Sequence, residues 1–222
     1  MSAPQRALLI AARELFAERA HPDGLAAALT FTGLLVLLES LAFGPGRARE
    51  PDVASAAFWI AVTFAAILVA TRSFDRELED DAIDGVLALP GGRDALYAGK
   101  VVALIVVLAI VATTTGLLSV FVNSLDVALG AHLVLVTVVG VLALAPVIVL
   151  VSLLALRVRA RVAIVPILAF PMLVPQLVAA TSGAAAALAG DATAALGWSA
   201  LLVVFALVYA LLGVTLTPGA FD

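Results

Sequence analysis

Long apolar stretches alternate with short polar connections along most of the chain, and this pattern predicts a membrane protein. A helix that crosses a bilayer needs about 20 mostly apolar residues. Six stretches meet this requirement, with approximate bounds Leu25–Phe43, Val53–Ala70, Val101–Val122, Ala128–Leu156, Val162–Ala180 and Ala194–Leu216. We therefore predict an all-α polytopic fold in which a single membrane domain accounts for residues 1–222.

The charged segment Thr71–Lys100 separates the second predicted span from the third. A segment with so many charges must lie in water. Its apolar residues recur at the spacing of a helix with one apolar stripe. They are Phe74, Leu78, Ala82, Ile83, Val86 and Leu87. We predict an amphipathic helix at the membrane surface, which a partner protein can bind.

A second amphipathic stretch, residues 4–20, precedes the first span. Its apolar side contains Leu8, Leu9, Ala12, Leu15 and Phe16, and its bases are Arg6, Arg13 and Arg19. Bases of this kind can bind anionic headgroups, so we predict a helix that lies in the membrane interface. The region lacks the continuous apolar core of a signal peptide, and we expect the first span to remain as a membrane anchor.

Lysine and arginine residues set the predicted orientation. With the N-terminus in the cytoplasm, ten bases lie on the inner side, and only Arg47 and Arg49 lie outside. Cytoplasmic connections of membrane proteins are enriched in these residues. We therefore expect both termini and the 71–100 segment to be cytoplasmic.

Composition excludes several classes of function. The chain is 64% hydrophobic and 13% charged, whereas soluble domains carry about 25% charged residues. A net charge of −4 argues against nucleic-acid binding, and the absence of cysteine excludes disulfides and thiolate metal sites. The glycines Gly92 and Gly99 before Lys100 do not have the spacing of a phosphate-binding loop. We expect no ATP hydrolysis by this chain.

The acids Asp80, Asp81 and Asp84 allow one enzymatic alternative. Paired carboxylates can hold Mg²⁺ on a diphosphate, as intramembrane transferases do. Such a site needs a second acidic cluster, and the other inner connection, LRVRARV, contains no acid. The favoured interpretation is a solvated acidic face that also offers charge to a partner.

Two ionisable residues near the outer ends of the spans are candidates for function. Glu39 is a functional candidate by default, because a carboxylate inside a membrane is costly; alternatively it reaches the headgroups. His132 could ligate haem iron, although a single histidine is more often an interface residue.

The fifth predicted span is rich in proline. Pro166, Pro171 and Pro175 each remove a backbone donor, and Gln176 adds a polar group. A distorted helix of this kind can serve as a pivot or line a path; kinks without a role are the alternative.

The run FWIAVTFAAILVATRSFDRELEDDAIDGVLALPGGRDALYAGK resembles the second span and inner loop of the haem exporter B family. The likeness continues in ARELFAERA near the N-terminus and in LLALRVRARVAIVPILAFPMLVPQLV, with its basic turn and proline-rich span. These proteins are the membrane permeases of the cytochrome c maturation ABC transporter. The resemblance covers most of the chain.

The resemblance implies an ABC-2-like permease of the bacterial inner membrane. It implies a homodimer on two copies of a separate ATPase, which binds ATP and Mg²⁺, so that no cofactor is assigned to this chain itself. A haem-handling membrane protein, a small single-span subunit and a periplasmic haem chaperone are the implied partners. Either haem is the cargo, or ATP drives release of the loaded chaperone.

On this basis the 71–100 segment is expected to couple the permease to the ATPase. The residues expected at this contact are Phe74, Arg76, Leu78, Glu79, Asp80, Asp81, Ile83, Asp84 and Val86. The apolar members would enter a groove on the ATPase, and the charged members would fix its register. Arg157, Arg159 and Arg161 are expected to form a second cytoplasmic contact or to bind lipid phosphates. An exporter of another lipid or drug, and a scaffold that only anchors other subunits, stay open as alternatives.

Overall fold

The computed structural model describes residues 2–79, 92–155 and 161–217. Within these ranges the chain forms seven helices and no strand. They are α1 (Ala3–Ala20), α2 (Asp23–Arg47), α3 (Pro51–Glu79), α4 (Gly92–Asn123), α5 (Gly130–Leu154), α6 (Arg161–Ala189) and α7 (Ala192–Leu216). Helices α2 to α7 are each long and apolar enough to cross a membrane, which confirms the predicted six-span, all-α fold.

The spans run up and down, so the bundle has two ends. The proximal end carries α1, the start of α2, the end of α3 and the start of α4. At the distal end, the Arg49 Nε donates to the Asn123 carbonyl (3.1 Å), and the Leu129 amide donates to the Ala187 carbonyl (3.1 Å). These bonds hold the connections after α2 and α4 against neighbouring helix ends.

Three helices extend well beyond the predicted spans. Helix α3 continues to Glu79 and α4 already begins at Gly92, so these helices take up most of the predicted 71–100 segment. Arg, Glu and Leu in this region are good helix formers, and no residue in 71–79 stops the helix. Helix α6 similarly runs on through an alanine-rich stretch to Ala189 instead of ending at Ala180.

The central helix of the bundle is α5. It packs against α3, α4, α6 and α7, and every residue from Ala143 to Leu153 is buried. A helix that is apolar on all sides is stable in such a position. By contrast, many large apolar side chains of α2 and α7 are exposed, as expected of helices that face lipid.

Polar side chains fix neighbouring helices to α5 and to one another. Gln176 is 1% exposed. With its amide oriented to satisfy both ends, it accepts from the Leu144 amide (2.8 Å) and donates to the Ala143 carbonyl (3.3 Å) of α5. The Tyr97 hydroxyl of α4 donates to the Tyr209 carbonyl of α7 (3.2 Å), and the Tyr209 hydroxyl donates to the Met172 carbonyl of α6 (2.8 Å).

Trp59 of α3 packs directly against α5 at Gly140. Its ring is 1% exposed and lies where a Cβ of residue 140 would be, so only glycine fits at Gly140. The absence of a side chain at this position lets the ring pack directly on the α5 backbone.

Replacing Gly140 with Ala should therefore destabilise the bundle. The added methyl group overlaps a buried ring, and overpacking of this kind costs about 1–3 kcal/mol. Thermal denaturation of the purified protein in detergent, followed by circular dichroism, should show a lower Tm. Gly197→Ala on α7 is the matched control, because nothing lies within 4 Å of its added Cβ. Equal Tm values for the two variants would contradict the proposed contact.

Candidate functional site

Helix α1 turns its acidic side toward the rest of the protein. Glu14 and Glu18 are one turn apart and are only 7% and 6% exposed, whereas Leu8, Leu9 and Phe16 on the opposite side are exposed. This is the reverse of an ordinary surface helix, which buries its apolar side. Buried carboxylates need partners, and α3 and α4 supply them.

Glu14 forms a buried ion pair with Lys100 at the start of α4. The Lys100 Nζ lies 2.9 Å from the Glu14 Oε2 and donates to the Ser73 Oγ of α3 at 2.7 Å. The Ser73 hydroxyl in turn donates to the Glu14 Oε2 at 2.8 Å. The pair is thus completed by a third polar group, which offsets part of the cost of removing two charges from water.

Glu18 connects α1 with α2 and α3. One carboxylate oxygen pairs with the Arg76 guanidinium of α3, and the other accepts from the Leu25 amide at 2.7 Å. Arg76 also donates to the His21 carbonyl between α1 and α2 (3.5 Å). The Leu25 amide belongs to the first turn of α2, where backbone donors lack helical partners and a negative charge is favourable.

We refer to Glu14, Glu18, Ser73, Arg76 and Lys100 as the proximal junction. These five residues border a cavity of about 30 Å³, which is large enough for a water molecule. The junction joins the proximal ends of α1, α2, α3 and α4. In the sequence, its members Ser73 and Arg76 precede residues 80–91, and Lys100 follows them.

Phe74 and Arg76 both make contacts within the chain. The Phe74 side chain is 2% exposed and belongs to the buried core, with the Lys100 Nζ 4.6 Å from the ring centroid. The ring thus packs within its own chain. Arg76 pairs with Glu18, and its side chain is 30% exposed. The predicted contact of these two residues with an ATPase stays a prediction.

The remaining predicted contact residues lie wholly or partly outside the described residues. Leu78 and Glu79 belong to the last turn of α3, and Arg161 begins α6, but their side chains are not described. The residues that lie outside altogether are Asp80, Asp81, Ile83, Asp84, Val86, Arg157 and Arg159.

Glu39 lies on the buried face of α2, together with Thr32 and Val36. It is 7% exposed, and neither carboxylate oxygen has a hydrogen-bond partner in the part of the chain that the structure describes. The carboxyl group is therefore buried within the protein. A buried carboxyl group without a partner is costly, so Glu39 stays a candidate functional residue.

His132 and the proline-rich helix have different surroundings. His132 is partly exposed in the first turn of α5. No group of three or more His, Cys, Asp or Glu residues that could hold a metal ion occurs among the described residues. The prolines Pro166, Pro171 and Pro175 all lie inside α6, which stays helical around them.

Sequence reasoning missed most of the proximal junction. Glu14, Glu18 and Ser73 were not identified as site residues, and Lys100 was noted only as a charge of the loop. A signal was present: two acids four residues apart lie opposite the apolar side of the predicted α1 helix. Such a pair predicts basic partners elsewhere in the chain.

Comparison with known proteins supports the resemblance found in the sequence. The family model described as CcmB protein matches residues 5–221, a range that includes most of α1, all six spans and the proximal junction. No curated protein matches the chain.

Replacing Lys100 with Met should destabilise the protein strongly. The substitution removes the buried counter-charge of Glu14, whereas Arg13, 3.2 Å from the other carboxylate oxygen, is 45% exposed. Removing one partner of a buried ion pair typically costs about 3–5 kcal/mol. Thermal or denaturant unfolding of the purified protein measures the loss. The double variant Lys100→Met/Glu14→Met removes both charges and should recover much of it.

Arg47→Met is the control for the loss of a basic residue. Arg47 pairs with Glu50 at 4.0 Å, but both side chains are exposed, and exposed pairs contribute little to stability. If Lys100→Met were as stable as Arg47→Met, the buried pair would have no structural role.

Proposed function

Because the chain belongs to the CcmB protein family, we propose that it is the permease subunit of an ABC transporter that acts in cytochrome c maturation. The family match over residues 5–221 is the observation that carries this proposal. The six apolar spans are those of a multi-pass membrane protein. In this role the chain hydrolyses no ATP; a separate ATPase binds ATP and Mg²⁺ and supplies the energy.

The proposed contact with the ATPase is the segment from residue 77 to residue 91. It begins after Phe74 and Arg76, which pack within the chain. Its apolar residues Leu78, Ile83 and Val86 bind a groove on the ATPase, and Glu79, Asp80, Asp81 and Asp84 fix the register. Arg157, Arg159 and Arg161 form a second contact at the same end. Both connections leave the bundle at its proximal end, which supports a shared surface.

The proximal junction then transmits the movement of the ATPase. In the sequence, the 77–91 segment begins in the last turn of α3 and ends immediately before α4. Ser73 and Lys100 hold these two helices together. Glu14 and Glu18 extend the connection to α1 and α2. A displacement of the segment therefore moves four helices together against α5, α6 and α7, with Gln176 at the contact between α6 and α5.

The proximal end is proposed to face the cytoplasm of a bacterial inner membrane. The excess of basic residues at this end supports the orientation. By analogy with the family, two copies of the chain form a dimer on the ATPase. The complex further contains a haem-handling membrane protein, a small single-span subunit and a periplasmic haem chaperone, and it either exports haem or releases the loaded chaperone.

Leu78→Asp should weaken the complex with the ATPase. The substitution places a charge in the proposed apolar contact, where burial without a partner is unfavourable. Co-purification of the ATPase with the tagged permease measures the effect, and most of the bound ATPase should be lost. Val127→Asp, in the connection between α4 and α5 at the distal end, introduces the same charge and should leave binding unchanged. Undiminished binding by the Leu78 variant would exclude the proposed docking segment.

Labelling of single cysteines tests the orientation directly, because the natural chain has none. Ala20→Cys at the proximal end and Asp126→Cys at the distal end are both at exposed positions. In spheroplasts, a membrane-impermeant maleimide should modify position 126 at once and position 20 only after the membrane is permeabilised. The opposite result would place the basic end outside and overturn the proposed coupling to a cytoplasmic ATPase.

A further inference from the structure

Glu39 differs from every other buried charged residue in the part of the chain that the structure describes. The other three, Glu14, Glu18 and Lys100, are paired within the proximal junction. Glu39 lies on α2, which begins at Asp23, and it is separated from the start of this helix by roughly 24 Å. Its carboxyl group is therefore far from the charges of the junction.

The depth of Glu39 follows from a contact between α2 and α3. The rings of Phe31 and Phe64 lie 6.1 Å apart, and Glu39 follows Phe31 by two turns, roughly 12 Å. Because α3 runs in the opposite direction, the same distance leads from Phe64 to the stretch around residues 55–57. This stretch lies about one turn inside the start of α3 at Pro51. Glu39 thus lies in the distal half of the bundle, within the span.

No counter-charge faces Glu39 from the helices that surround it. Helix α2 packs mainly against α3 and α4, and to a small extent against α1, which lies at the proximal end. Helix α3 has no ionisable residue between Asp52 and Arg72, and the chain has none between Lys100 and Asp126. The ionisable residues at the distal end are all exposed or partly exposed, and they are Arg47, Arg49, Glu50, Asp52, Asp126, His132 and Asp191. Such hydrated charges compensate a buried carboxylate only weakly.

Uncharged polar groups do not satisfy the carboxyl group of Glu39 either. Within the described ranges neither of its oxygens has a hydrogen-bond partner, and both are closed off from water. The hydroxyls of Ser55 on α3 and Thr115 on α4 are buried in the same half of the bundle, but they too are without a partner there. A carboxylate without a counter-charge, a donor or water is strongly unfavourable, and such a group takes up a proton instead. A proton needs no cavity, whereas a hydrated ion does.

The connection between α2 and α3 closes the distal end near Glu39. Five residues after Glu39, the helix is interrupted at Gly44, which has a φ of 70°, a conformation that favours glycine. Beyond this turn Ala48 is completely buried, and the Arg49 Nε donates to the Asn123 carbonyl at the end of α4 (3.1 Å). Separation of this connection from α4 is thus the shortest way for water to reach Glu39.

We propose that Glu39 is a proton-binding site within the membrane. In the enclosed conformation its carboxyl group holds a proton. When the distal connection opens, water hydrates the group, the proton leaves to the water on the distal side, and a carboxylate remains. Because only the enclosed conformation requires the proton, acid pH favours this conformation and a rise in pH favours the open one. This inference does not depend on the proposed function.

Infrared spectroscopy of the full chain in lipid nanodiscs tests the protonation of Glu39. An ordinary glutamate is ionised at neutral pH, and a protonated carboxyl group has a C=O stretching band separate from the carboxylate bands. The difference between the spectra of the wild type and Glu39→Gln should contain this band. Glu50→Gln is the control, because Glu50 is exposed at the same end; it should lose only carboxylate bands. Loss of only carboxylate bands in Glu39→Gln would show an ionised group and overturn the proposal.

The pH dependence of stability provides a second test. Thermal unfolding in detergent compares the wild type with Glu39→Met, which has a similar volume and cannot ionise. Unfolding gives the carboxyl group access to water, so the wild type should lose stability relative to the variant as the pH rises above about 4.3, the ordinary pKa of glutamate. The loss should approach tenfold in the unfolding equilibrium constant per pH unit. All other titratable groups are common to both proteins. A difference in Tm that does not change with pH would overturn the proposal.

Reaction of a buried cysteine tests the link between proton release and opening. The natural chain has no cysteine, and Val36, one turn before Glu39, is 2% exposed. A small water-soluble thiol reagent should modify Val36→Cys increasingly faster than Val36→Cys/Glu39→Gln as the pH rises, because only the first protein gains a charge that favours the open conformation. The ratio of the two rates cancels the ionisation of the thiol itself. A ratio that stays constant with pH would overturn this link.

Discussion

The buried ion pair between Glu14 and Lys100 is the constraint on which the proximal half of the bundle depends. Charges at this depth are stable only as a completed set, and the set here needs three helices: α1 for the acid, α4 for the base and α3 for Ser73. None of these helices can shift alone without exposing a charge to an apolar environment. The cost of separation makes the proximal ends of the helices move as a unit.

The rest of the bundle is organised by packing around α5, whose core residues are almost entirely aliphatic. Gln176 of α6 makes polar contacts to the α5 backbone. The ring of Trp59 against Gly140 is a close apolar contact to the same helix. A unit fixed by ionic contacts thus packs against a helix that is fixed by close apolar contacts.

The fold was largely predictable because length and hydropathy alone determine which segments can cross a membrane. The six spans and the helical N-terminal stretch followed from these properties. The ends of α3 and α6 did not, since helices continue into polar or alanine-rich sequence as long as no residue stops them. The signal for α6 was helix propensity in the alanines before Ala189, whereas apolar character alone suggested a connection there.

The site was less predictable than the fold. An amphipathic pattern identifies two sides of a helix but does not say which side faces the protein. In α1 the acids face inward because they pair with Lys100 and Arg76. These partners lie 86 and 58 residues away in sequence, so no local pattern contains that information. Phe74 illustrates the same problem: the sequence identifies it as apolar but does not say that its ring packs within its own chain.

The long sequence separation within the proximal junction has a consequence for biosynthesis. Glu14 leaves the ribosome 86 residues before Lys100. At a synthesis rate of about 5–20 residues per second, this separation corresponds to roughly 4–17 seconds. During this interval Glu14 lacks its partner Lys100, and the exposed side of α1, with Leu8, Leu9 and Phe16, is a surface that can keep the helix at the membrane. The exposed apolar side of α1 can therefore hold this helix at the bilayer surface until α4, the third span, has been synthesised.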